Sequence, residues 1–505
     1  MIETNPRICA VITEETVAAA VDAMHNAGGL ADMLELRLDY LRDFDFTRPD
    51  DLRPLLEQRP LPTILTCRSF DEGGKQRIGD RVRLRLIIEG AKKYAEFCDV
   101  EAAHYHEAAS LRPDPSRLIV SYHNFDETPR DIDAVCEIVC ALPAAIHKIV
   151  IRANDIGDSL AIFRLLDRST SQGRNLIALA MGAPGVITRI LGPSRGSYLT
   201  YGPLSRGMES APGQITCGEL SRVYRIKRIT RNSIITGIIG QPVMHSASPA
   251  VHNAAFEEMG LDYVYLPFEV SDAAEFLRQF INPVSRMMDW NVRGLSVTIP
   301  HKTAVMPLLD EIDPVASTIG AVNTVVVEDG RLRGYNTDAQ GFIAPLLQAT
   351  QLAGKRCAVL GAGGAARAVL CALKREGALV TLFARDAGKG SKLGGEFDTP
   401  YEPLEKFGAS DAEIVVNATP IGMHGHSEGV SPVPPISLRG RLIAYDLVYN
   451  PLATRFLADA ASSGCRTITG LEMLVSQAAA QFEMWTGMKA PVDVMRAAAL
   501  GAISS

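Results

Sequence analysis

The sequence predicts an α/β protein in two parts: an N-terminal (β/α)8 TIM barrel and a two-lobed α/β unit with a Rossmann lobe. Two observations support this fold class. Residues 1 to about 220 alternate eight short β-rich runs with longer amphipathic segments, as expected for eight β/α repeats. Residues 355–377, KRCAVLGAGGAARAVLCALKREG, then give a strand, a glycine-rich turn and a helix, the order of a dinucleotide-binding motif.

Eight β-rich runs are the predicted strands of the first part. Helical patterns such as residues 81–97 and 131–142 separate them. A doubly wound open sheet is the alternative arrangement for the same alternation. The predicted strands are RICAVI (7–12), DMLELRLD (32–39), PTILTCR (62–68), FCDVEA (97–102), RLIVSYHN (117–124), IHKIVIRA (146–153), NLIALAMG (175–182) and SYLTYG (197–202).

Polar side chains recur in the second half or at the end of these strands. One polar strand residue means little, but repetition on strand after strand favours the barrel. In a barrel the carboxyl ends of the strands form one face, and active sites lie at that face. These residues are Glu35, Arg37, Asp39, Arg68, Glu101, His123, Lys148 and Arg152.

Lys148 is the unusual residue of the sixth run, where β-branched apolar residues surround it. A lysine inside a core is unfavourable unless it is paired or neutral. It either extends its ammonium group to solvent at a strand end or serves as a reactive amine. Its position among the polar strand ends, with His123 one strand earlier, favours the reactive amine.

Composition and charge exclude several classes of function. The net charge of −7 and the pI of about 5.9 argue against nucleic acid as the main partner. No apolar run reaches the length of a membrane span, and MIETNPRICAVITEE at the start lacks the regions of a signal peptide. The nine cysteines are scattered without a CxxC motif, which is typical of buried thiols in a reducing compartment. We therefore expect a cytoplasmic protein without a metal site.

The pattern restarts after residue 221. The connector contains five basic residues, for which binding to a membrane or an acidic partner is an alternative role. The predicted organisation is a barrel (1–221), a basic connector (222–232) and a second part (233–505), which comprises a substrate lobe (about 233–335, with the C-terminal helices) and a nucleotide lobe (about 340–470).

The glycine-rich turn has the form G-x-G-x-x-A at Gly361, Gly363 and Ala366. The first glycine allows a tight turn, the second lets a pyrophosphate approach the backbone, and the small third residue lets helix and strand pack closely. The next predicted strand ends in Arg385, where an acidic residue would suit the ribose of NAD. The arginine favours NADP, although Asp386 beside it leaves NAD open.

Both parts carry motifs of known families. Residues 1 to about 220 resemble the type I 3-dehydroquinate dehydratases in LELRLD, TCRSFDEGG, SYHNF, HKIVIRA and SAPGQ. Residues from about 233 resemble the shikimate dehydrogenases in GQPVMHSASPAVHN, SVTIPHK, GAVNT, NTD, GAGGAARA, NATPIGM, YDLVYNP and LEMLVSQA. Together they resemble the fused bifunctional enzymes of the shikimate pathway, an arrangement known from plants.

The resemblance implies a Schiff-base dehydration in the barrel. Lys148 would attack the ketone of 3-dehydroquinate, and an apolar barrel top would favour its neutral amine. His123 would take the neighbouring proton and then help water leave, oriented by Glu72. Substrate hydroxyls would be held by Glu35, Arg37 and Arg68, and the substrate carboxylate by Arg189, Ser210 and Gln214.

In the second part the resemblance implies reduction of 3-dehydroshikimate to shikimate with NADPH. Lys302 and Asp338 would lie together over the reacting hydroxyl, and Lys302 would transfer the proton. Ser296 departs from the family, in which many single-domain members carry Asn. The implied substrate residues are Ser246, Ser248, Thr298, Asn323, Tyr449 and Gln477, and the implied cofactor residues are Gly361, Ala362, Gly363, Gly364, Ala365, Arg385, Thr419, Met423 and Gly470.

Other functions remain open on the sequence. A Schiff-base aldolase fused to another oxidoreductase would use the same lysine, and a quinate dehydrogenase with NAD would use the same second fold. A catalytically inactive regulator is the alternative of another class, which the presence of Lys148, His123, Lys302 and Asp338 disfavours. The partners expected are small-molecule substrates, and the chain would be a monomer or a homodimer.

Overall fold

The computed structural model describes residues 6–57, 59–282, 285–425, 427–438, 440 and 442–504. The chain divides into two compact units. The first contains the described residues of Met1–Ser233, Pro267–Phe280 and Val284–Trp290, and the second contains the remainder. The stretch of residues 267–290 that follows the barrel in sequence thus groups mainly with it. The domain boundaries inferred from sequence stay a prediction.

Eight parallel strands form one sheet in the first unit, in the order β7-β6-β5-β4-β3-β2-β1-β8. A parallel bridge between Leu176 and Ser197 links the sheet's two edges. The predicted barrel is therefore confirmed, and the open-sheet alternative is wrong. The strands are β1 (Ile8–Ile12), β2 (Met33–Arg37), β3 (Thr63–Thr66), β4 (Phe97–Glu101), β5 (Leu118–His123), β6 (Ile146–Arg152), β7 (Leu176–Met181) and β8 (Thr200–Pro203).

Helices follow the barrel strands. Several connections between strands and helices also contain short 3-10 turns. One of these turns, Phe70–Glu72, carries the predicted site residue Glu72. The helices are α1 (Val17–Asn26), α2 (Leu52–Leu56), α3 (Asp80–Lys93), α4 (Tyr105–Ser110), α5 (Ile132–Cys140), α6 (Asp158–Ser171) and α7 (Val186–Leu191).

The chain after the barrel first forms a mixed six-stranded sheet in the order β10-β9-β11-β13-β14-β12. Its strands are β9 (Ile234–Gly240), β10 (Tyr263–Glu269), β11 (Val292–Val297), β12 (Glu311–Ile312), β13 (Thr324–Glu328) and β14 (Arg331–Tyr335). The helices of this region are α8 (Ser248–Glu258), α9 (Ala273–Phe276), α10 (His301–Ala304), α11 (Pro314–Ile319) and α12 (Asp338–Ala349).

A second six-stranded sheet, all parallel, has the order β17-β16-β15-β18-β19-β20. This is the order of a doubly wound nucleotide-binding fold, with the switch point between β15 and β18. The strands are β15 (Arg356–Leu360), β16 (Leu379–Ala384), β17 (Tyr401–Pro403), β18 (Ile414–Asn417), β19 (Ile443–Asp446) and β20 (Arg466–Ile468). The helices are α13 (Gly364–Arg375), α14 (Ala387–Glu396), α15 (Arg455–Ser462), α16 (Gly470–Thr486) and α17 (Val492–Ser504).

The basic connector lies against the barrel. Lys227 pairs with Asp32 and Arg231 with Asp167, each at 2.5 Å. These exposed ion pairs contribute little stability, but they give two of the five basic residues partners within the same unit. None of the described helices combines the length and the apolar character needed to cross a membrane.

The stretch of residues 267–290 packs on α6 and the turn that follows α7. The Trp290 ring lies edge-on to Phe163 of α6, at 5.0 Å between centroids. The guanidinium of Arg195 lies 4.5 Å from the Trp290 ring centroid and donates a hydrogen bond of 2.9 Å to the carbonyl of Asp289. An edge-on aromatic contact, a cation–π contact and a hydrogen bond thus join Trp290 and Asp289 to the barrel.

The crossing of α12 and α16 depends on a glycine. A Cβ at Gly341 would lie 2.7 Å from the Cβ of Gln477 and 2.9 Å from its backbone nitrogen. Backbone atoms cannot move aside as a flexible side chain can, so the two helices are in contact only because this residue is glycine.

We expect Gly341→Ala to lower the free energy of unfolding of the second unit by about 1–3 kcal/mol, because the added methyl overpacks the crossing. Urea denaturation measures the change. Gly501→Ala in α17 is the matched control, since nothing lies within 4 Å of its Cβ position, and it should raise stability by about 0.5–1 kcal/mol. Equal stabilisation by both substitutions would contradict the proposed close crossing.

Candidate functional site

Lys148 lies inside the barrel on β6 and is 4% exposed. Ile146 and Val150, on the same face of the strand, belong to a buried apolar cluster. Its Nζ nevertheless lies 3.0 Å from Oδ2 of Asp99 and 3.3 Å from Oε1 of Glu35. The apolar setting expected from the sequence is therefore wrong at the amine, which is held between two carboxylates because a buried ammonium needs them.

Asp99 connects Lys148 to a buried network on β3, β4 and β5. Arg68 pairs with Asp99 at 3.0 Å and with Glu101 at 3.3 Å, and Ser121 donates a hydrogen bond of 2.6 Å to Asp99. Burial alone would raise the pKa of Asp99, but the charges of Arg68 and Lys148 lower it below the usual range. Asp99 is therefore a fixed negative charge beside the lysine.

Asp99 and Ser121 were missed by the sequence reasoning. Each precedes a recognised residue by two positions, Glu101 on β4 and His123 on β5. Residues two apart in a strand share a face, so this spacing was the available signal. Thr66, which donates a hydrogen bond of 3.0 Å to Glu35, precedes Arg68 by the same two positions, but threonine is so common in strands that its identity added no signal.

Glu72 and His123 lie together. Nδ1 of His123 is 3.1 Å from Oε2 of Glu72, which lies at the end of the 3-10 turn after β3. Burial raises the pKa of Glu72 to about 7. Burial, together with the charges of Arg68 and Lys148, lowers the pKa of His123 well below its ordinary value. At neutral pH His123 is therefore an uncharged imidazole beside a carboxyl that titrates near neutrality.

Glu35, Arg37 and Arg68 are buried at the same end of the barrel. Glu35 contacts Lys148, as described, whereas Arg37 forms a two-bonded pair with Asp39 at 2.9 and 2.8 Å. Asp39 also accepts hydrogen bonds from the backbone of Arg68 and Lys75. The three residues therefore form part of a connected polar layer.

Arg189, on α7, is 1% exposed. Its Nε has no hydrogen-bond partner in the described part of the chain, and burial lowers the pKa of its guanidinium to about 10. A buried cation without a carboxylate is unfavourable unless an anion joins it. Ser210 and Gln214 lie in the segment after β8 and bond to each other, with 2.7 Å from the Ser210 backbone nitrogen to Oε1 of Gln214.

The second unit contains another lysine–carboxylate pair. Lys302, on α10, has its Nζ 2.5 Å from Oδ2 of Asp338, the first residue of α12. Oδ1 of Asp338 accepts a hydrogen bond of 2.8 Å from Nδ2 of Asn323. The structure therefore brings Lys302 and Asp338 together and adds Asn323, which the resemblance implied only as a substrate residue.

Ser246, Ser248 and Tyr449 form a second cluster in this unit. The backbone nitrogen of Ser248 donates a hydrogen bond of 3.2 Å to Oγ of Ser246. Burial raises the pKa of Tyr449, which lies beside Ser246 and the backbone of Ala247. Thr298 lies just after β11, and Gln477 lies on α16 with Nε2 donating to the Leu474 carbonyl at 3.2 Å.

The glycine-rich turn after β15 has space for a ligand. Gly361 has φ of 108°, and a Cβ there would lie 2.7 Å from Cγ2 of Thr419. Gly363 and Gly364 are exposed, with nothing within 4 Å of their Cβ positions. No side chain caps the N-terminus of α13. The free backbone N–H groups and the open space suit a pyrophosphate.

The other expected cofactor residues surround the strand ends of this lobe. Arg385, after β16, is exposed and has no hydrogen bond or ion pair with the described residues, whereas Asp386 caps α14 through the Lys389 nitrogen. Thr419 bonds to Asn417 at 2.6 Å. A Cβ at Gly470 would lie 2.6 Å from the carbonyl oxygens of Leu447 and Val448, so this glycine is needed for packing. Met423 is 42% exposed.

Comparison with known proteins yields matches in both halves of the chain. The profile of the type I 3-dehydroquinase family matches residues 8–231. The profile of the shikimate dehydrogenase substrate binding domain matches residues 238–325, and that of the shikimate 5'-dehydrogenase C-terminal domain matches residues 470–500.

Curated relatives span the whole chain or its second half. The chain is 34% identical to the chloroplastic bifunctional 3-dehydroquinate dehydratase/shikimate dehydrogenase of Arabidopsis thaliana, covering 98% of this chain and 84% of the relative. It is 42% identical to the NADP(+) shikimate dehydrogenase of Carboxydothermus hydrogenoformans, over 54% of this chain and 98% of that protein. A solved shikimate dehydrogenase in complex with NADP+ is 36% identical, with a TM-score of 0.50, and the match covers 55% of this chain and 98% of that one.

We expect Arg189→Met to raise the free energy of unfolding by at least about 1 kcal/mol, because it removes a buried charge that no carboxylate in the described part of the chain compensates. Denaturation of the protein without ligands measures this. Arg83→Met is the matched control: Arg83 is also 1% exposed but pairs with Glu101 at 2.7 Å, so its loss should destabilise the barrel by about 3 kcal/mol. Destabilisation by Arg189→Met would contradict the role of Arg189 as an unpaired cation.

Proposed function

Because the chain belongs to the family of bifunctional 3-dehydroquinate dehydratase/shikimate dehydrogenases, we propose that it catalyses two successive steps of the shikimate pathway. The barrel converts 3-dehydroquinate into 3-dehydroshikimate, and the second part reduces that product to shikimate with NADPH. The observation that carries the proposal is that each half holds a lysine beside carboxylates: Lys148 with Glu35 and Asp99, and Lys302 with Asp338.

In the barrel, Lys148 is the nucleophile. Its neutral amine forms a C–N bond to the ketone carbon of 3-dehydroquinate, and the ketone oxygen leaves as water. The resulting iminium acidifies the adjacent C–H bond. Glu35 and Asp99 hold the amine at the end of the strand, and Glu35 accepts the proton that the amine must release before it attacks.

His123 is the general base for the adjacent proton. With Glu72 ionised, Nδ1 of His123 carries the hydrogen and donates a hydrogen bond to the Glu72 carboxylate, so Nε2 is free to accept a proton from substrate. The protonated imidazole then donates to the departing hydroxyl, which leaves as water. Hydrolysis of the iminium releases 3-dehydroshikimate and restores Lys148.

Arg189 supports binding of the substrate carboxylate, since the anion provides the partner that the protein does not supply. Ser210 and Gln214, in the segment after β8, provide further hydrogen bonds to that carboxylate. Glu35, Arg37 and Arg68 hold the ring hydroxyls, positioned by the polar layer of which they form part.

In the second part, NADPH supplies a hydride to the carbonyl carbon of 3-dehydroshikimate. Lys302 donates the proton that the new hydroxyl oxygen requires, and Asp338 holds the Lys302 amine in place. Asn323 fixes Asp338 and contacts ring hydroxyls together with Thr298 and Gln477. Ser246, Ser248 and Tyr449 bind the substrate carboxylate.

The open turn at Gly361, Ala362, Gly363, Gly364 and Ala365 would hold the pyrophosphate of NADP. Arg385 has its guanidinium free of described partners, which supports contact with the 2′-phosphate. Asp386, beside it, caps α14 through one carboxylate oxygen, Oδ1, which accepts a hydrogen bond from the Lys389 nitrogen. Thr419, Met423 and Gly470 complete the cofactor site.

We also propose that the protein works in the cytoplasm, as a monomer or a homodimer. All nine cysteines are free thiols, which supports a reducing compartment.

Purified protein supplied with 3-dehydroquinate and NADPH should form shikimate while NADPH is oxidised. Lys148→Ala should abolish the dehydration yet reduce 3-dehydroshikimate normally, and Lys302→Ala should give the reverse pattern. Borohydride trapping with 3-dehydroquinate should label Lys148 in the unsubstituted protein. Failure of 3-dehydroquinate to trap on Lys148 would overturn the assignment of the barrel as a dehydratase. Failure to oxidise NADPH when 3-dehydroshikimate is supplied would overturn the assignment of the second part as a reductase.

The dehydratase should have a pH dependence set by Glu72. Since burial raises the pKa of Glu72 to about 7, the carboxylate that orients His123 is lost as the pH falls below 7. We expect kcat to drop about tenfold per pH unit there, while His123 itself stays neutral. Glu72→Gln should lower kcat and flatten this acid limb. If the kcat of Glu72→Gln fell in the same way below pH 7, a group other than Glu72 would set this pH dependence.

A further inference from the structure

Ser296 is buried on β11 and is 6% exposed. Its hydroxyl uses both of its hydrogen-bonding capacities. It accepts a hydrogen bond of 2.7 Å from the hydroxyl of Tyr265 and donates one of 2.8 Å to Oε1 of Gln481. Through Gln481, the hydrogen bonds of Ser296 therefore connect strand β11 to helix α16.

Gln481 is 1% exposed and its amide is fully engaged. Nε2 donates to Oγ1 of Thr324 at 2.9 Å and to the carbonyl oxygen of Asn323 at 3.3 Å. A carbonyl oxygen can only accept, so the amide nitrogen must face Asn323 and the amide oxygen must face Ser296. The orientation of Gln481 is fixed by its neighbours.

Asn323 is the next link, and it reaches the reacting groups. Its Oδ1 accepts from the Thr337 backbone nitrogen and from Oγ1 of Thr324, both at 2.7 Å. Its Nδ2 donates to Asp338, which in turn lies against Lys302. Gln481 thus bonds to the backbone carbonyl of Asn323 and to the side-chain hydroxyl of Thr324. Asn323 connects this amide to Asp338, and Asp338 connects to Lys302.

We propose that Ser296 and Gln481 are a positioning pair, which fixes Asn323 and through it the Asp338–Lys302 pair. In this arrangement helix α16 supplies the amide that a longer residue at position 296 would carry on β11. The inference rests on the proposed reduction by the second part of the chain, and it adds to it two residues that do not themselves touch substrate.

The surroundings strengthen this network. His252 lies 4.4 Å from the Tyr265 ring, nearly parallel to it, and 5.1 Å from Trp485. It is completely buried, and burial lowers its pKa to about 3, so it is neutral. Hydrogen bonds against an uncharged aromatic wall are shielded from water and hold their geometry more firmly than exposed ones.

Helix α16 also links the pair to substrate binding. Gln477 and Gln481 are four residues apart, so both lie on one face of the helix. A shift of the helix along its axis would displace the proposed substrate contact of Gln477 and the support of Asn323 together. The pair therefore ties the proton-transfer groups to the helix that binds the ring.

The experiment compares Ser296→Ala and Gln481→Leu with the unsubstituted chain in reduction of 3-dehydroshikimate by NADPH. We expect kcat to fall about 10- to 100-fold, because loss of the support misplaces the reacting groups, while KM for 3-dehydroshikimate changes less than threefold. NADP+ affinity, which reports folding of the second unit, and dehydratase activity should both stay within twofold.

Thr236→Val is the matched control. Thr236 lies on the neighbouring strand β9, is fully buried and donates its hydroxyl to the Val264 carbonyl, outside this network. It loses a buried hydroxyl as Ser296→Ala does, but kcat should stay within twofold of the unsubstituted value.

A swap separates positioning from loss of stability. Ser296→Asn alone should reduce kcat because the longer side chain meets Gln481. Adding Gln481→Ala should restore kcat to within about threefold by returning one amide to the site.

Retention of kcat within twofold in both Ser296→Ala and Gln481→Leu, with NADP+ affinity intact, would overturn the proposed positioning pair. Should Gln481→Leu lose NADP+ affinity, Ser296→Ala alone decides by the same criterion. An unsubstituted chain that dehydrates 3-dehydroquinate but oxidises no NADPH would instead overturn the proposed reductase, and with it this inference.

Discussion

A buried cation must have an anion beside it, and this constraint organises both sites. Lys148, Arg68, Arg37 and Arg83 are all buried in the barrel, and each has a carboxylate within hydrogen-bonding distance. The strands must keep their register so that these charges meet, because a slip of one residue would turn every inward side chain outward. Arg189 is the exception, because Nε of Arg189 has no hydrogen-bond partner among the described residues, and for this reason we propose it as the receptor for an anionic ligand.

The two lysines have different surroundings, which suits different chemistry. Lys148 is 4% exposed and shares its amine between two carboxylates at 3.0 and 3.3 Å. Lys302 is half-buried and contacts one carboxylate at 2.5 Å. In the proposed dehydration the amine of Lys148 must release a proton before it attacks a carbon atom, and Glu35 lies within hydrogen-bonding distance to accept it. In the proposed reduction the ammonium of Lys302 gives its proton to the new hydroxyl oxygen, and the one close carboxylate, that of Asp338, holds it in place for this transfer.

Much of the fold could be predicted because strands and helices follow from the local pattern of apolar and polar residues. The eight barrel runs lie within a few residues of the observed strands, and the position of Lys148 and His123 follows from them. What the pattern could not supply is partners in space. Asp99 looked like an ordinary strand residue, so the amine of Lys148 seemed to have an apolar setting. The role of Ser296 stayed open, because its hydrogen-bond partner Gln481 lies 185 residues away on α16.

The stretch of residues 267–290 has a consequence for how such a protein could be divided. The connector at 222–232 looks like the natural place to separate two enzymes, yet Trp290 and Asp289 lie on the barrel beyond it. A gene cut at the connector would strip the barrel of this segment and leave Phe163 and Arg195 uncovered. The boundary that the sequence pattern marks is therefore not the boundary of the compact unit that contains the barrel.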